Sequence, residues 1–251
     1  MNSRKYLSRR EARGVDDEGK AYSTIEDMWN QEVGAETTKW YTKAIDYWSS
    51  LEPTIESVLG GYREIHEPDV AESVPFLRSL LAKGHVQPER ALDCGAGIGR
   101  VTKAVLLPEF AEIDLMEPCA HFLECAKAYV DSSKVRQYIQ EGAQDWTENE
   151  RKYDLIWIQW VLSQLVDEDL TAFLQRVKTA LKPGGVVVVK ENIRIKGFMV
   201  HTDDYSVTRS EKMLKEYFRA AGFRVFKEHL QVEWPPNLLK IKMFALKPSL
   251  D

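Results

Sequence analysis

Ala91-Leu-Asp-Cys-Gly-Ala-Gly-Ile-Gly-Arg100 carries a short apolar run into an acid and then into a glycine-rich turn. The stretch that follows, Val101 to Leu107, reads as helix. Glycine occupies every second position, at Gly95, Gly97 and Gly99. Without Cβ atoms these residues let the backbone bend tightly and approach a bound molecule. A turn of this kind at the end of a strand is where open α/β sheets bind nucleotides. The dinucleotide fingerprint needs G-x-G-x-x-G, but position 100 is Arg and the spacing here is G-x-G-x-G. Alone, the turn promises only a nucleotide-like ligand.

Downstream, strand and helix patterns alternate, as in βαβ units with a parallel sheet. Ile113 to Met116 reads as a strand ending at Glu117. Pro118 suits the first turn of a helix whose stripe is Phe122, Ala126, Tyr129 and Val130. Val135 to Ile139 is a weaker strand, and Tyr153 to Trp160 is as apolar as a strand covered on both faces should be. A helix with Leu170, Phe173, Leu174, Val177 and Leu181 inward leads through a Lys182-Pro-Gly-Gly185 turn to a buried strand, Val186 to Val189. That strand runs into Lys190-Glu-Asn192, and Asp203-Asp204 fall in the loop beyond. Ser210 caps a helix that Gly222 closes, and Phe223 to His229 and Lys240 to Leu246 are the last strands. About seven strands ending in an antiparallel pair fit the Rossmann-like α/β sheet of class I methyltransferases better than a dinucleotide fold.

Ahead of the glycine turn the pattern is helical. Residues 1–35 read as a loosely organised segment with one helix around Ile25 to Val33. Trp40, Ala44, Tyr47 and Trp48 then form one stripe of an amphipathic helix. Pro53 opens a short helix with Ile55, Val58 and Leu59, which Gly60-Gly61 terminates. A further helix, with Phe76, Leu77, Leu80 and Leu81 inward, runs to Gly84. Leu59-Gly-Gly-Tyr-Arg-Glu-Ile65 is a glycine-hinged loop placed to fold over a ligand. The expected division is a methyltransferase domain at 36–251, with 36–85 as helical extension and substrate-covering loop and 86–251 as cofactor-binding core.

Composition narrows the partners. A net charge of −5 over 251 residues argues against broad binding to nucleic acid or anionic membranes and leaves room for a basic partner. Cys94, Cys119 and Cys125 show no metal spacing, so a reducing compartment and no metal are expected. No apolar stretch approaches the ~18 residues that cross a membrane. Arg4, Lys5, Arg9, Arg10 and Arg13, set against Glu11, read as a basic tail rather than a leader. The expectation is a monomer located in the cytoplasm, the nucleus or both.

Glu117 stands at a strand end, where an acid can accept both hydroxyls of a ribose. Arg100 is placed for the carboxylate of an amino-acid moiety. Gln144, with Ala143 before it and Asp145 after, sits where an adenine is read, and Gln159 ends a strand facing the same crevice. With the G-x-G-x-G spacing, Gly95, Gly97, Arg100, Glu117, Cys119, Ala143, Gln144 and Gln159 form the expected site for S-adenosyl-L-methionine. Trp160, Asn192 and Asp203-Asp204 suit a substrate with an apolar ring, backbone amides and a positive amine.

Tyr47-Trp48, Leu59-Gly-Gly-Tyr62, Leu92 to Arg100, Ile156-Trp-Ile-Gln-Trp160 and Lys190-Glu-Asn192 together resemble the protein α-N-terminal methyltransferases, from about Trp40 to Leu246. That family methylates the α-amine of proteins beginning X-Pro-Lys or X-Pro-Arg, so protein or peptide N-termini are the implied partners. The resemblance implies that Trp160 packs on the proline and Asn192 bonds the peptide backbone. It makes Tyr47, Trp48, Leu59, Gly60 and Ile65 the channel wall and gives Asp204 the α-amine and its proton. Four positions depart from the pattern: Gln164 stands where the family has a His base, His201-Thr202 where it has acids, and Leu239 where it has a Tyr. The expected catalytic set is therefore Asp204 as principal base, with Asn192 and a neutral Gln164, His201 being a weaker substitute base. A methyltransferase for small-molecule amines, or a cofactor-binding adaptor that has lost its base, are the competing readings.

Overall fold

The computed structural model describes residues 13–34, 36–148 and 150–249. The basic residues Arg4, Lys5, Arg9 and Arg10 lie outside them. In chain order the described elements begin with β1 (Gly14–Asp16), β2 (Ala21–Tyr22), α1 (Ile25–Glu32), α2 (Thr37–Ser49) and α3 (His66–Ala82). After these come β3 (Arg90–Cys94), β4 (Glu112–Met116), α4 (Ala120–Val130), β5 (Val135–Ile139), β6 (Tyr153–Gln159), α5 (Asp167–Ala180) and β7 (Leu181–Ile193). The chain closes with β8 (Phe198–His201), β9 (Ser206–Arg209), α6 (Glu211–Ala220), β10 (Phe223–Leu230) and β11 (Lys240–Pro248).

Seven strands form the central sheet in the order β10-β11-β7-β6-β3-β4-β5. β11 runs antiparallel to both its neighbours, while β7, β6, β3, β4 and β5 are mutually parallel. This is the expected class I methyltransferase architecture. The chain reverses direction of travel across the sheet between β3 and β6, so the crevice beyond their C-terminal ends is the place for a ligand. All of β6 is buried, and its side chains alternate between two cores. Ile156 and Ile158 pack with Leu170, Phe173 and Leu174 of α5, whereas Leu155 and Trp157 pack in the cluster holding Phe76, Leu77 and Leu80 of α3.

Local details differ from the sequence reading. Residues 53–59 form turns ending in a single 3-10 turn, Ser57–Leu59, rather than a helix. Thr102–Leu106 is a π-helical turn. The Lys182-Pro-Gly-Gly185 turn is absorbed into β7, which pairs Leu181 with Tyr153 across an irregularity, with Gly184 at φ 84°. The loop expected to hold Asp203-Asp204 is the turn of a β8–β9 hairpin.

The largest correction concerns residues 1–35, whose described part is ordered rather than loose. α1 is present as expected, but β1 adds in parallel to β8 and makes a second sheet, β2-β1-β8-β9. Tyr22, Ile25 and Met28 join the core that covers α5 and α6. Two- and three-residue strands carry no periodicity of their own, so nothing local announces them. The contact depends on glycine: a Cβ on Gly197 would stand 1.9 Å from the Arg13 carbonyl oxygen, and one on Gly14 would enter the Phe198 ring. Among the described residues no helix is long and apolar enough to cross a membrane. If the N-terminal packing contributes as drawn, Met28→Ala, at a fully buried position, costs about 2–5 kcal/mol in urea unfolding. A loosely attached segment would show almost no loss.

Candidate active site

The glycine turn leaves β3 with Gly95, Gly97 and Gly99 at φ 66°, 53° and 81°. A Cβ at Gly95 would meet Val161 at 2.3 Å, and one at Gly99 would meet Val130 of α4 at 2.4 Å. The turn is thus pressed between β6's exit and α4. Asp93 locks it to the helical turn, accepting from the Thr102 amide (2.9 Å) and hydroxyl (2.6 Å). Burial pushes the Asp93 carboxyl up to about 6. At the end of β4, Glu117 accepts the Gly97 amide on one oxygen and the Cys119 amide on the other, both at 2.9 Å. Each oxygen keeps a free lone pair. Burial raises this carboxyl, and the two amides restrain it.

Gly95, Gly97, Glu117 and Cys119 line a cavity of about 170 Å³ with Trp48, Arg100, Phe122, Ala143, Gln144 and Gln159. All eight residues expected to hold the cofactor lie on its wall. The loop bearing Ala143 and Gln144 is pinned by Arg176 of α5, which donates to the carbonyls of Ala143 (2.8 Å), Gln144 (2.9 Å) and Trp146 (2.6 Å). The strongest anchor is Asp69 of α3, fully buried. Its carboxylate takes Arg100 at 2.6 Å, Lys190 at 2.6 Å and Gln159 at 2.9 and 3.0 Å. Burial alone would raise the Asp69 carboxyl; Lys190 and Arg100 reverse that and hold it low. Gln159 spends its amide on Asp69 and on the Trp157 indole (3.0 Å). It therefore positions Asp69 rather than presenting a free amide to the cavity.

Trp160, immediately after β6, has φ 55°, a left-handed conformation that is costly for a bulky residue. The Trp160 amide donates to the Lys190 carbonyl (3.0 Å), and Glu191 accepts the next two amides, Val161 at 2.9 Å and Leu162 at 2.7 Å. Burial pushes the Glu191 carboxyl up to about 7. Arg209, also buried, binds the carbonyls of Leu162 (2.9 Å) and Leu165 (2.6 Å) and closes the same loop. The Arg100 guanidinium lies 5.5 Å from the Trp160 ring centre, and the Trp160 indole N–H is buried without a partner.

A second cavity, about 530 Å³, opens on the other side of Trp160. Trp48, Val58, Trp160 and Gln164 line both. Its wall contains Tyr47, Leu59, Gly60, Ile65, Asn192 and Asp204, the remainder of the expected substrate and catalytic set. The departures Gln164, His201 and Leu239 all line it as well. Asp204 sits at the β8–β9 turn, and Ser206 donates to it at 2.7 Å. Burial raises the Asp204 carboxyl against that bond. With its amide turned to donate, Gln164 reaches the carbonyl oxygens of Asp204 (3.1 Å) and Tyr205 (3.2 Å). Gln164 thus holds the backbone of the turn. His201 is engaged with the Thr208 hydroxyl at 2.9 Å.

A glycine cradle, a carboxylate open to a diol and an arginine near an aromatic wall fit a nucleoside with an amino-acid tail. The family profile described as AdoMet dependent proline di-methyltransferase matches residues 36–247. The chain belongs to that family. Its cofactor is S-adenosyl-L-methionine, and this methyltransferase is similar to curated relatives along nearly their whole lengths. It is 43% identical to alpha N-terminal protein methyltransferase 1 of Schizosaccharomyces pombe, over 84% of this chain and 97% of the relative. It is 38% identical to human N-terminal Xaa-Pro-Lys N-methyltransferase 1, over 86% and 99%. A solved S-adenosylmethionine-dependent methyltransferase from Leishmania major superposes with a TM-score of 0.89 at 39% identity, covering 94% of this chain and 96% of that one.

Sequence reasoning missed Asp69, Arg176, Lys190, Glu191 and Arg209 of this methyltransferase as site-building residues. Only Lys190-Glu191 left a trace, as charges at the end of an otherwise apolar strand. Two outcomes check this framework. Arg176→Ala frees the Ala143–Trp146 loop and raises the Kd for S-adenosylhomocysteine by about tenfold, the loss of hydrogen bonds from a charged donor, in calorimetric titration. Glu191, with its folded value raised to about 7, is ionised in the unfolded chain from about pH 4.3 upward. Unfolding then releases a proton, and stability falls between those values as pH rises, by at most about 4 kcal/mol. Glu191→Gln keeps an acceptor and removes that slope, so its Tm relative to the native chain increases from pH 5 to pH 8.

Proposed function

We propose that the chain transfers methyl groups from S-adenosyl-L-methionine to the α-amino group of proteins that expose an X-Pro-Lys or X-Pro-Arg N-terminus. The observation that carries this reading is the wall shared by the two cavities. Trp160 and Gln164 face both, and the turn bearing Asp204 closes the second. A peptide entering the second cavity amine-first meets the donor across that wall. The human relative's name specifies an Xaa-Pro-Lys N-terminus.

The cofactor supplies an electrophilic methyl group; the protein has to deliver a neutral amine in line with it. An α-amine titrates near 7.7–8.0, so roughly a tenth is neutral at pH 7, and positioning accounts for most of the remaining requirement. Asp204 orients the ammonium form and takes its proton before transfer, which frees the lone pair that attacks the methyl carbon. Its raised carboxyl is closer in affinity to the amine than an exposed aspartate would be. Gln164 contributes by fixing the Asp204–Tyr205 backbone. Trp160 offers its ring face to the proline. Asn192, on β7, bonds the peptide backbone.

Mass spectrometry of a Ser-Pro-Lys peptide incubated with enzyme and cofactor tests the reading. Successive gains of methyl mass on the α-amine are expected, and an N-acetylated peptide should gain none. Cofactor binding without transfer to any peptide would favour the adaptor. Asp204→Asn should lower kcat by about a hundredfold or more. The native rate should climb as pH rises through the titration of the amine, because the neutral nucleophile becomes more abundant. A wild-type rate in Asp204→Asn would remove Asp204 from the chemistry.

A further inference from the structure

We infer that Asp17, delivered by the N-terminal segment, is the carboxylate that selects a basic side chain at the third position of the peptide. This rests on the function proposed above and adds a residue from outside the matched family region, 36–247. Asp17 follows β1, which pairs in parallel with β8 in the register Asp16↔Val200. Its amide donates to the Val200 carbonyl at 3.1 Å. Thr202 then grips its carboxylate twice, amide to Oδ2 at 3.0 Å and hydroxyl to Oδ1 at 2.8 Å. The side chain lines the second cavity beside His201, Asp203 and Asp204.

Charge and spacing point to the occupant. Asp17, Asp203 and Asp204 line this channel, and no lysine or arginine is among its described lining residues. Asp204 is reserved for the amine. Thr202, which holds Asp17, is two residues before Asp204, so its Cα lies within about 7 Å along the turn. In an extended peptide the third Cα is also about 7 Å from the first. A peptide with its amine at Asp204 and its chain running along the channel toward Asp17 brings its third side chain alongside the Asp17–Thr202 pair. Two of the roughly four acceptor positions of a carboxylate are used by Thr202, leaving the others for an ammonium or guanidinium group. Because Thr202 already fixes the carboxylate, little rotamer entropy is lost on pairing.

Native and Asp17→Asn enzymes, compared on Ser-Pro-Lys and Ser-Pro-norleucine peptides, test the assignment. Norleucine keeps most of the aliphatic stem and lacks the ammonium, while Asn keeps an acceptor for Thr202 and lacks the charge. The expected result is a KM increase of about tenfold for the lysine peptide, with kcat changed less than about twofold, and a shift below about twofold for norleucine. Asp17→Lys should invert the preference toward a Ser-Pro-Glu peptide. Equal shifts for lysine and norleucine would reduce Asp17 to a structural clamp and overturn the inference, as would no shift at all. A native enzyme that treats the two peptides alike refutes this inference alone. A native enzyme that methylates neither peptide refutes the proposed function, and this inference with it.

Discussion

The buried carboxylate of Asp69 is the interaction on which the site depends. It gathers Arg100 from the glycine turn, Gln159 from β6 and Lys190 from β7 onto one residue of α3. Four segments far apart in sequence thereby meet beneath the crevice. Each cation is costly to bury alone, and together with Asp69 they compensate one another. Removing one partner of such a group leaves charge uncompensated and typically costs about 3–5 kcal/mol. Arg100 is consequently held near the Trp160 ring rather than free to swing into solvent.

A second constraint follows at the exit of β6. Trp160 adopts a backbone conformation that an isolated chain would avoid, and Glu191 and Arg209 hold the residues beyond it. Strain of this kind persists only where surrounding bonds over-determine it. The consequence is that one aromatic side chain forms part of both cavities. Trp48, Val58 and Gln164 share that wall with it.

The acceptor side is assembled differently. Asp204 and Gln164 meet because a hairpin folds back on the loop after β6, and the hairpin is steadied by a strand from the other end of the chain. Gln164 is neutral at every working pH. It offers hydrogen bonds to the backbone of the turn that carries Asp204. Burial of Asp204 moves its carboxyl toward the amine's range.

Much of this was legible in the chain itself. Strand periodicity and the G-x-G-x-G spacing determined a seven-stranded sheet with a glycine-lined crevice at its switch point, because these signals are local and repeat with the pleat. The helix carrying the aromatics of α2 belongs to the same category. Asp69 was not legible, since a single aspartate in a helix carries no mark of its three distant partners. Arg176 and Arg209 carry no local mark either, because the carbonyls they bind belong to other segments. Nor did Gly14–Asp16 announce a strand, for three residues have no measurable period. Tertiary structure alone decided that this segment pairs with β8 and brings Asp17 into the channel. The physical reason is that long-range pairing and buried charge compensation are properties of two or more segments at once, and neither segment records the other.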